Sequence, residues 1–141
     1  MANYQWFGKV HTFVYRASGG LIGHHLGEHP TALLYTVGAK SGRSRITPVR
    51  YYALDDHGIV IIASNNGQTK PPAWWFNIKA QPSFDIRVGR QRQKVRAELI
   101  SGDRREVLWS QITAINPRTK SYMKTAGREI PVILLRRMAD K

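Results

Sequence analysis

Apolar residues recur at intervals of three and four near the start of the chain, where Trp6, Phe7, Val10, Phe13 and Val14 share one side of Tyr4 to Ala17. This spacing predicts an amphipathic helix within residues 1–20, ended by Ser18-Gly19-Gly20. His24 to Pro30 reads as an irregular lead-in. The pattern then shortens to the period of strands, with β-branched and aromatic residues in Ala32–Val37, Ile46–Leu54 and Ile59–Ser64. Asp55-Asp56-His57-Gly58 supplies a turn between the second and third runs, so a meander of antiparallel strands is expected. Pro71-Pro72 opens a short helix through Ala80, and Gln81-Pro82 closes it. Phe84–Val88 and Gln93–Ile100 pair as a hairpin around Gly89-Arg90, and Gly102 to Glu106 opens a helix carrying Val107, Leu108, Ile112 and Ile115. A Tyr122-Met123 segment precedes the last strand, Ile130–Leu135. The expected fold is α+β and mainly β: about six antiparallel strands with peripheral helices, closed into a small barrel that removes exposed edges.

The 141 residues suit one domain, and an apolar content of 42% is enough for a core without staples. With no cysteine, the chain has no zinc-finger spacing, thiol nucleophile or disulfide. No apolar run approaches the roughly eighteen residues of a membrane span, and Met1 to Val14 lacks the apolar core of an export signal, so a cytoplasmic protein is expected. The net charge of +13 changes the picture most, because it calls for an anionic partner: nucleic acid, a membrane surface or a polyanionic small molecule. The cations cluster at Lys40–Arg50, Arg87–Arg96 and Arg104–Arg105, without any recognisable nucleic-acid motif, and no nucleic acid is expected as a partner.

The most informative cluster is Gly38 to Tyr52, GAKSGRSRITPVRYY, directly after an apolar strand. Gly38 and Gly42 permit tight turns that leave backbone amides facing outward, Lys40, Arg43 and Arg45 supply charge, and Ser41 and Ser44 add hydroxyl donors. A forked guanidinium matches phosphate or carboxylate oxygens, so the loop reads as an anion cradle. The bland alternative is a solvated basic hairpin tip.

Further motifs follow in order: Ala63-Ser64 with Gly67 and Lys70, then Pro72-x-Trp74-x-x-Asn77-x-Lys79-Ala80-x-Pro82, then Arg128-x-Ile130-Pro131. Together with Gly38-x-Lys40-Ser41-Gly42-x-x-Arg45-x-x-Pro48, this series resembles the deazaflavin-dependent nitroreductase and quinone reductase family from about Leu33 to Leu135. The resemblance implies a split β-barrel that binds the reduced deazaflavin coenzyme F420 and passes a hydride to a quinone, an enone lactone or a nitroaromatic. It implies cofactor contacts at Lys40, Ser41, Gly42, Arg45 and Pro48 for the phosphate and oligoglutamate tail. By the same match Ala63, Ser64 and Asn65 would face the deazaflavin ring, and Trp74 and Asn77 would close the pocket beside it. Tyr122 and Ser64 are the implied catalytic hydroxyls. Asn65 stands where several relatives have Lys, and Thr119 stands where nitroimidazole-reducing relatives have the first tyrosine of a pair whose second matches Tyr122.

Among the other readings of the residues, His24, His25 and His29 lack supporting carboxylates besides Glu28, and no metal is expected. No GxSxG elbow supports a nucleophilic triad. The rival cofactor is FMN on the same barrel, and the rival function is a basic nucleic-acid-binding barrel carried by the charge alone. The N-terminal stripe suits either a lid or a peripheral contact with the inner face of an anionic membrane. The oligomeric state is left open.

Overall fold

In a computed structural model describing residues 30–138, the period-two runs build one sheet of seven antiparallel strands. They are β1 (Thr31–Val37), β2 (Ser44–Arg50), β3 (Tyr52–Asp55), β4 (Gly58–Ile62), β5 (Ser83–Val88), β6 (Gln91–Ile100) and β7 (Val132–Arg137). Three helices accompany them: α1 (Ala73–Ala80), α2 (Gly102–Ile115) and α3 (Arg118–Ala126), and a 3₁₀ turn spans Asn65–Gly67. The expected N-terminal helix over 1–20, with its stripe, and the histidines His24, His25 and His29 lie outside the described residues.

The strands are not a meander, because their order across the sheet is β2-β1-β5-β6-β7-β4-β3. The stretch Ile46–Leu54, expected as one strand, is two strands that occupy opposite edges. Up to Arg50 the chain pairs with β1 in the register Thr31↔Arg50, and from Tyr52 it pairs with β4 in the register Tyr52↔Val60. Tyr51 alone lies between, its N–H donating to the carbonyl of Pro30 at 3.1 Å. A chain that leaves one edge and enters the other within one residue requires the sheet to curl, which gives a half-barrel. The residues around the break are all good strand formers, so the local pattern carries no sign of it.

Alternation sorts the side chains into two cores. Ala32, Leu34, Ile61, Ile86, Val95, Ile133 and Leu135 pack with Trp74, Trp75 and Ile78 of α1, and Tyr51 joins them. Val60, Ile62, Val132 and Leu134 face the other way, against Leu108 and Ile112 of α2 and Tyr122 and Met123 of α3, and Tyr52 joins these. The consecutive tyrosines thus anchor opposite cores. The Tyr122-Met123 segment, given no element by its sequence pattern, is the middle of α3, which Gly127 ends in a left-handed conformation (φ 64°).

Several of the basic residues stabilise this architecture. Arg105 is buried, with its Nε 3.1 Å from Glu129 and a terminal nitrogen donating to the Ile130 carbonyl at 2.8 Å. Arg104 lies 2.9 Å from Asp55 and 3.5 Å from Glu98. The Asp55 carboxyl is held below its ordinary value, first by the His57 N–H at 2.8 Å and then, against the opposing effect of burial, by Arg104.

Gly58 opens β4 where a Cβ would sit 1.9 Å from the Leu135 carbonyl oxygen of the neighbouring strand. Gly58→Ala should therefore force β4 from β7 and lower unfolding stability by about 3 kcal/mol or more, measured by urea titration. A loss under about 0.5 kcal/mol, the level of an unremarkable surface change, would show that the two strands do not approach this closely.

Candidate functional site

The loop between β1 and β2 folds back on itself. The Gly38 N–H donates to the Arg43 carbonyl at 2.8 Å, and the Gly42 N–H donates to the Gly38 carbonyl at 2.9 Å. Gly42 takes φ 71°, a left-handed value that glycine adopts without strain. The Ser41 hydroxyl accepts from the Arg43 N–H at 3.2 Å and sits where a Cβ on Gly38 would collide with it at 2.5 Å. The Ala39 N–H donates to Oδ1 of Asn77 at 2.9 Å. Asn77 is buried on α1, so the helix that carries Trp74 into the core also grips the cradle from below. Lys40, Arg43 and Arg45 project from this frame, exposed and without an ion pair among the described residues. Pro48 sits opposite Leu33 on the edge strand β2, where a missing N–H is tolerated.

A second loop begins where β4 ends at Ile62. The Ala63 N–H donates to the Pro131 carbonyl at 3.1 Å, and the 3₁₀ turn that follows holds Asn65 (φ 49°) and Asn66 (φ 55°) in the left-handed region. The turn is held by Arg128. Its guanidinium donates to the carbonyls of Ala63 at 3.1 Å, Ser64 at 3.2 Å and Gln68 at 3.3 Å. Desolvation lowers the pKa of Arg128 from its ordinary value. The Asn65 side chain is turned into the same loop, donating to Oε1 of Gln68 at 3.2 Å and to the Lys70 carbonyl at 3.0 Å. Arg128 was visible in the sequence as part of a motif, but only the folded loop shows what it holds.

The third part is a cleft of about 510 Å³ at the seam where β2 passes into β3, and it brings together Ser64 and Tyr122, 58 positions apart in sequence. α3 is pressed against the 3₁₀ turn: Thr125 donates its hydroxyl to the Gly67 carbonyl at 3.2 Å, and a Cβ on Gly67 would lie 3.2 Å from Cα of Tyr122. Ile62, Ile115 and Pro117 give the cleft apolar walls. Arg50, Tyr52, Asn116, Arg118 and Thr119 also line it. Asn116 donates to the Tyr52 hydroxyl at 3.1 Å, and the Arg50 guanidinium lies 5.1 Å from the Tyr52 ring centre.

The candidate residues therefore fall into two groups joined by β2. Lys40, Ser41 and Gly42 lie on the β1–β2 loop, which Asn77 holds and Arg45 follows in β2, Ser64 and Tyr122 share the cleft, Ala63 and Asn65 belong to the loop of Ser64, and Trp74 is core. Arg45 and Arg50 lie five positions apart on one strand, which places them on opposite faces and roughly 17 Å from each other. Arg50, Asn116 and Arg118, which also line the cleft, were not among the candidates because charges and amides near strand and helix ends ordinarily face water.

A family model described as F420H(2)-dependent quinone reductase matches residues 6–137. A Mycobacterium tuberculosis protein described as an F420H(2)-dependent quinone reductase is 35% identical over 133 residues, covering 92% of this chain and 89% of that protein. Among solved structures, an F420-H2 dependent reductase (FDR-A) is 31% identical with a TM-score of 0.66, covering 75% of this chain and 93% of that one. Another, described as a domain-swapped dimer, is 28% identical with a TM-score of 0.69, covering 92% and 96% of the two chains.

Arg128→Met would leave the Ala63 and Ser64 carbonyls without their donor. Stability should fall by about 1–3 kcal/mol, and amide exchange at Gly67 and Gln68 should accelerate at least tenfold more than exchange in β6. Uniform acceleration across the sheet would mean that Arg128 holds the whole fold rather than this loop.

Proposed function

The chain belongs to the F420H(2)-dependent quinone reductase family, and from that premise we propose that the cradle takes the anionic tail of reduced F420 while the seam cleft takes a quinone-type acceptor. The residues fit such a cofactor. A phosphate with a carboxylate-rich tail asks for cations that are not already neutralised, and Lys40, Arg43 and Arg45 meet that need beside a loop braced by Asn77. The Gly38, Ala39, Gly42 and Arg43 amides, expected to face outward, are instead spent on the loop's own bonds and on Asn77. Reduced F420 supplies the hydride when bound, and the protein's part is to bind, orient and exclude water.

The observation that carries this reading is that Ser64 and Tyr122, each bearing a hydroxyl, line one cleft with apolar walls. Reduction of a carbonyl leaves negative charge on its oxygen, and a hydroxyl donor positioned there stabilises that charge and can deliver the proton. Arg128 and Thr125 keep the two hydroxyls in register, since one holds the Ser64 loop and the other ties that loop to α3. Thr119 is buried, its hydroxyl donating to the Asn116 carbonyl at 2.7 Å, so it braces the start of α3. Activation of nitroimidazoles is correspondingly not part of the proposal. No helix among the described residues is long and apolar enough to cross a membrane. For a lipid quinone, the N-terminal stripe of Trp6, Phe7 and Phe13 read from the sequence suits collection from an anionic surface.

Lys40→Ala and Arg45→Ala should each weaken F420 binding by about tenfold or more, with little change in unfolding midpoint. Binding by both variants within twofold of wild type would remove the cradle from the cofactor site.

Tyr122→Phe deletes one hydroxyl, and turnover of quinones should fall by about a hundredfold while F420 affinity holds. Ser64→Ala is its companion, and the two losses should be less than additive if both hydroxyls serve one acceptor oxygen. Unchanged turnover in Tyr122→Phe would reduce the cleft's role to orientation.

A further inference from the structure

Two arginines, Arg50 and Arg118, line the seam cleft with Ser64 and Tyr122, and no acidic residue among the described residues lines it. Arg50 rests on the Tyr52 ring, which Asn116 holds through the tyrosine hydroxyl. Its Nε is buried with no hydrogen-bond partner among the described residues. A buried donor in that position is costly to leave unmet. Arg118 opens α3 and likewise forms no ion pair among the described residues. The contrast with other arginines is plain: Arg92 pairs with Asp85, Arg104 with Asp55, Arg105 with Glu129 and Arg136 with Glu98.

Two like charges lining one cleft with apolar walls, and no carboxylate among the described lining residues, favour an anion bound between them. That anion is not the cofactor tail, whose cradle lies at the other end of β2 on the opposite face. We infer that the preferred acceptor is itself anionic: a planar conjugated carbonyl compound bearing an ionised oxygen or carboxylate, which Arg50 and Arg118 bind while Ser64 and Tyr122 face the carbonyl to be reduced. The inference rests on the cleft being the acceptor site of the proposed reductase. It adds the charge of the substrate class and two binding residues outside the motifs.

The test uses the full chain without cofactor, titrated calorimetrically at low salt with 2-hydroxy-1,4-naphthoquinone, which is ionised at neutral pH, and with its neutral 2-methoxy ether. The ionised compound should bind at least tenfold more tightly, and the preference should shrink as salt is raised, a readout that needs no variant. In the double variant Arg50→Gln with Arg118→Gln the preference should fall to within twofold, whereas Arg50→Lys alone should keep most of it. Equal binding of the two compounds by wild type, or a preference that survives in the double variant, overturns the inference. So does a loss of F420 affinity in the double variant as large as that of Lys40→Ala, because the pair would then serve the cofactor. Oxidation of reduced F420 by the neutral ether tests the reductase reading separately. Turnover without a binding preference removes only the charge recognition, whereas a preference without turnover of either quinone removes the reductase reading.

Discussion

One residue, Tyr51, carries the constraint on which the site depends. β2 and β3 are the two edges of the sheet, yet only Tyr51 separates them in the chain. A flat sheet of seven strands with neighbours about 4.8 Å apart would place its edges roughly 29 Å from each other. A single residue spans less than about 4 Å. The sheet must curl until the edges meet, and the meeting point is where Arg50, Tyr52, Ser64 and Tyr122 surround one cleft. The cleft is thus a product of topology as much as of the side chains that line it. Tyr51 in the α1 core and Tyr52 in the α2–α3 core hold the crossing from both sides.

Curling alone would leave the loops at the seam loose, and buried polar groups position them. Asn77 and Arg128 play matching parts: each comes from a neighbouring segment and satisfies backbone groups of a loop that has no ladder partner. Such bonds add modest net stability, but their absence would strand buried donors or acceptors, so they select one loop conformation over others. This is the kind of preorganisation a hydride-transfer site requires, because the protein contributes geometry and a fixed field rather than the electrons.

The existence and type of most elements were legible in the sequence, since period-two runs and proline or glycine punctuation are local signals. The order of the strands was not. Which run pairs with which depends on closure of the whole sheet, and the same residues would satisfy a meander equally well. Ile46–Leu54 shows the difficulty, as β-branched and aromatic residues flank the break on both sides and only the change of partner at Tyr51 divides it. α3 escaped because Thr, Ser and Tyr dilute its helical pattern, and its stability comes from packing against the 3₁₀ turn and α2. The cradle was legible because glycines and cations crowd one loop. Ser64 and Tyr122 were singled out through family resemblance alone, as nothing local marks either hydroxyl, and the fold adds that both line one cleft. Asn77, expected at the ring, faces the cradle loop, a contact 38 positions away that no spacing rule predicts.

The large positive charge acquires meaning once the arginines are divided by their partners. Arg92, Arg104, Arg105 and Arg136 are each matched to a carboxylate, so their charges belong to the fold. Those of Lys40, Arg43 and Arg45 at the cradle, and of Arg50 and Arg118 at the cleft, are left without such partners among the described residues. With only nine acidic residues against 22 basic ones, the chain could not neutralise every cation. Where the few carboxylates go therefore decides where positive potential remains. Asp55, Asp85, Glu98 and Glu129 all lie beside arginines, and Lys40, Arg43 and Arg45 near one end of β2 and Arg50 at the other keep charges that no carboxylate among the described residues meets. The scarcity of acidic residues, more than the abundance of basic ones, leaves those cations without a carboxylate partner.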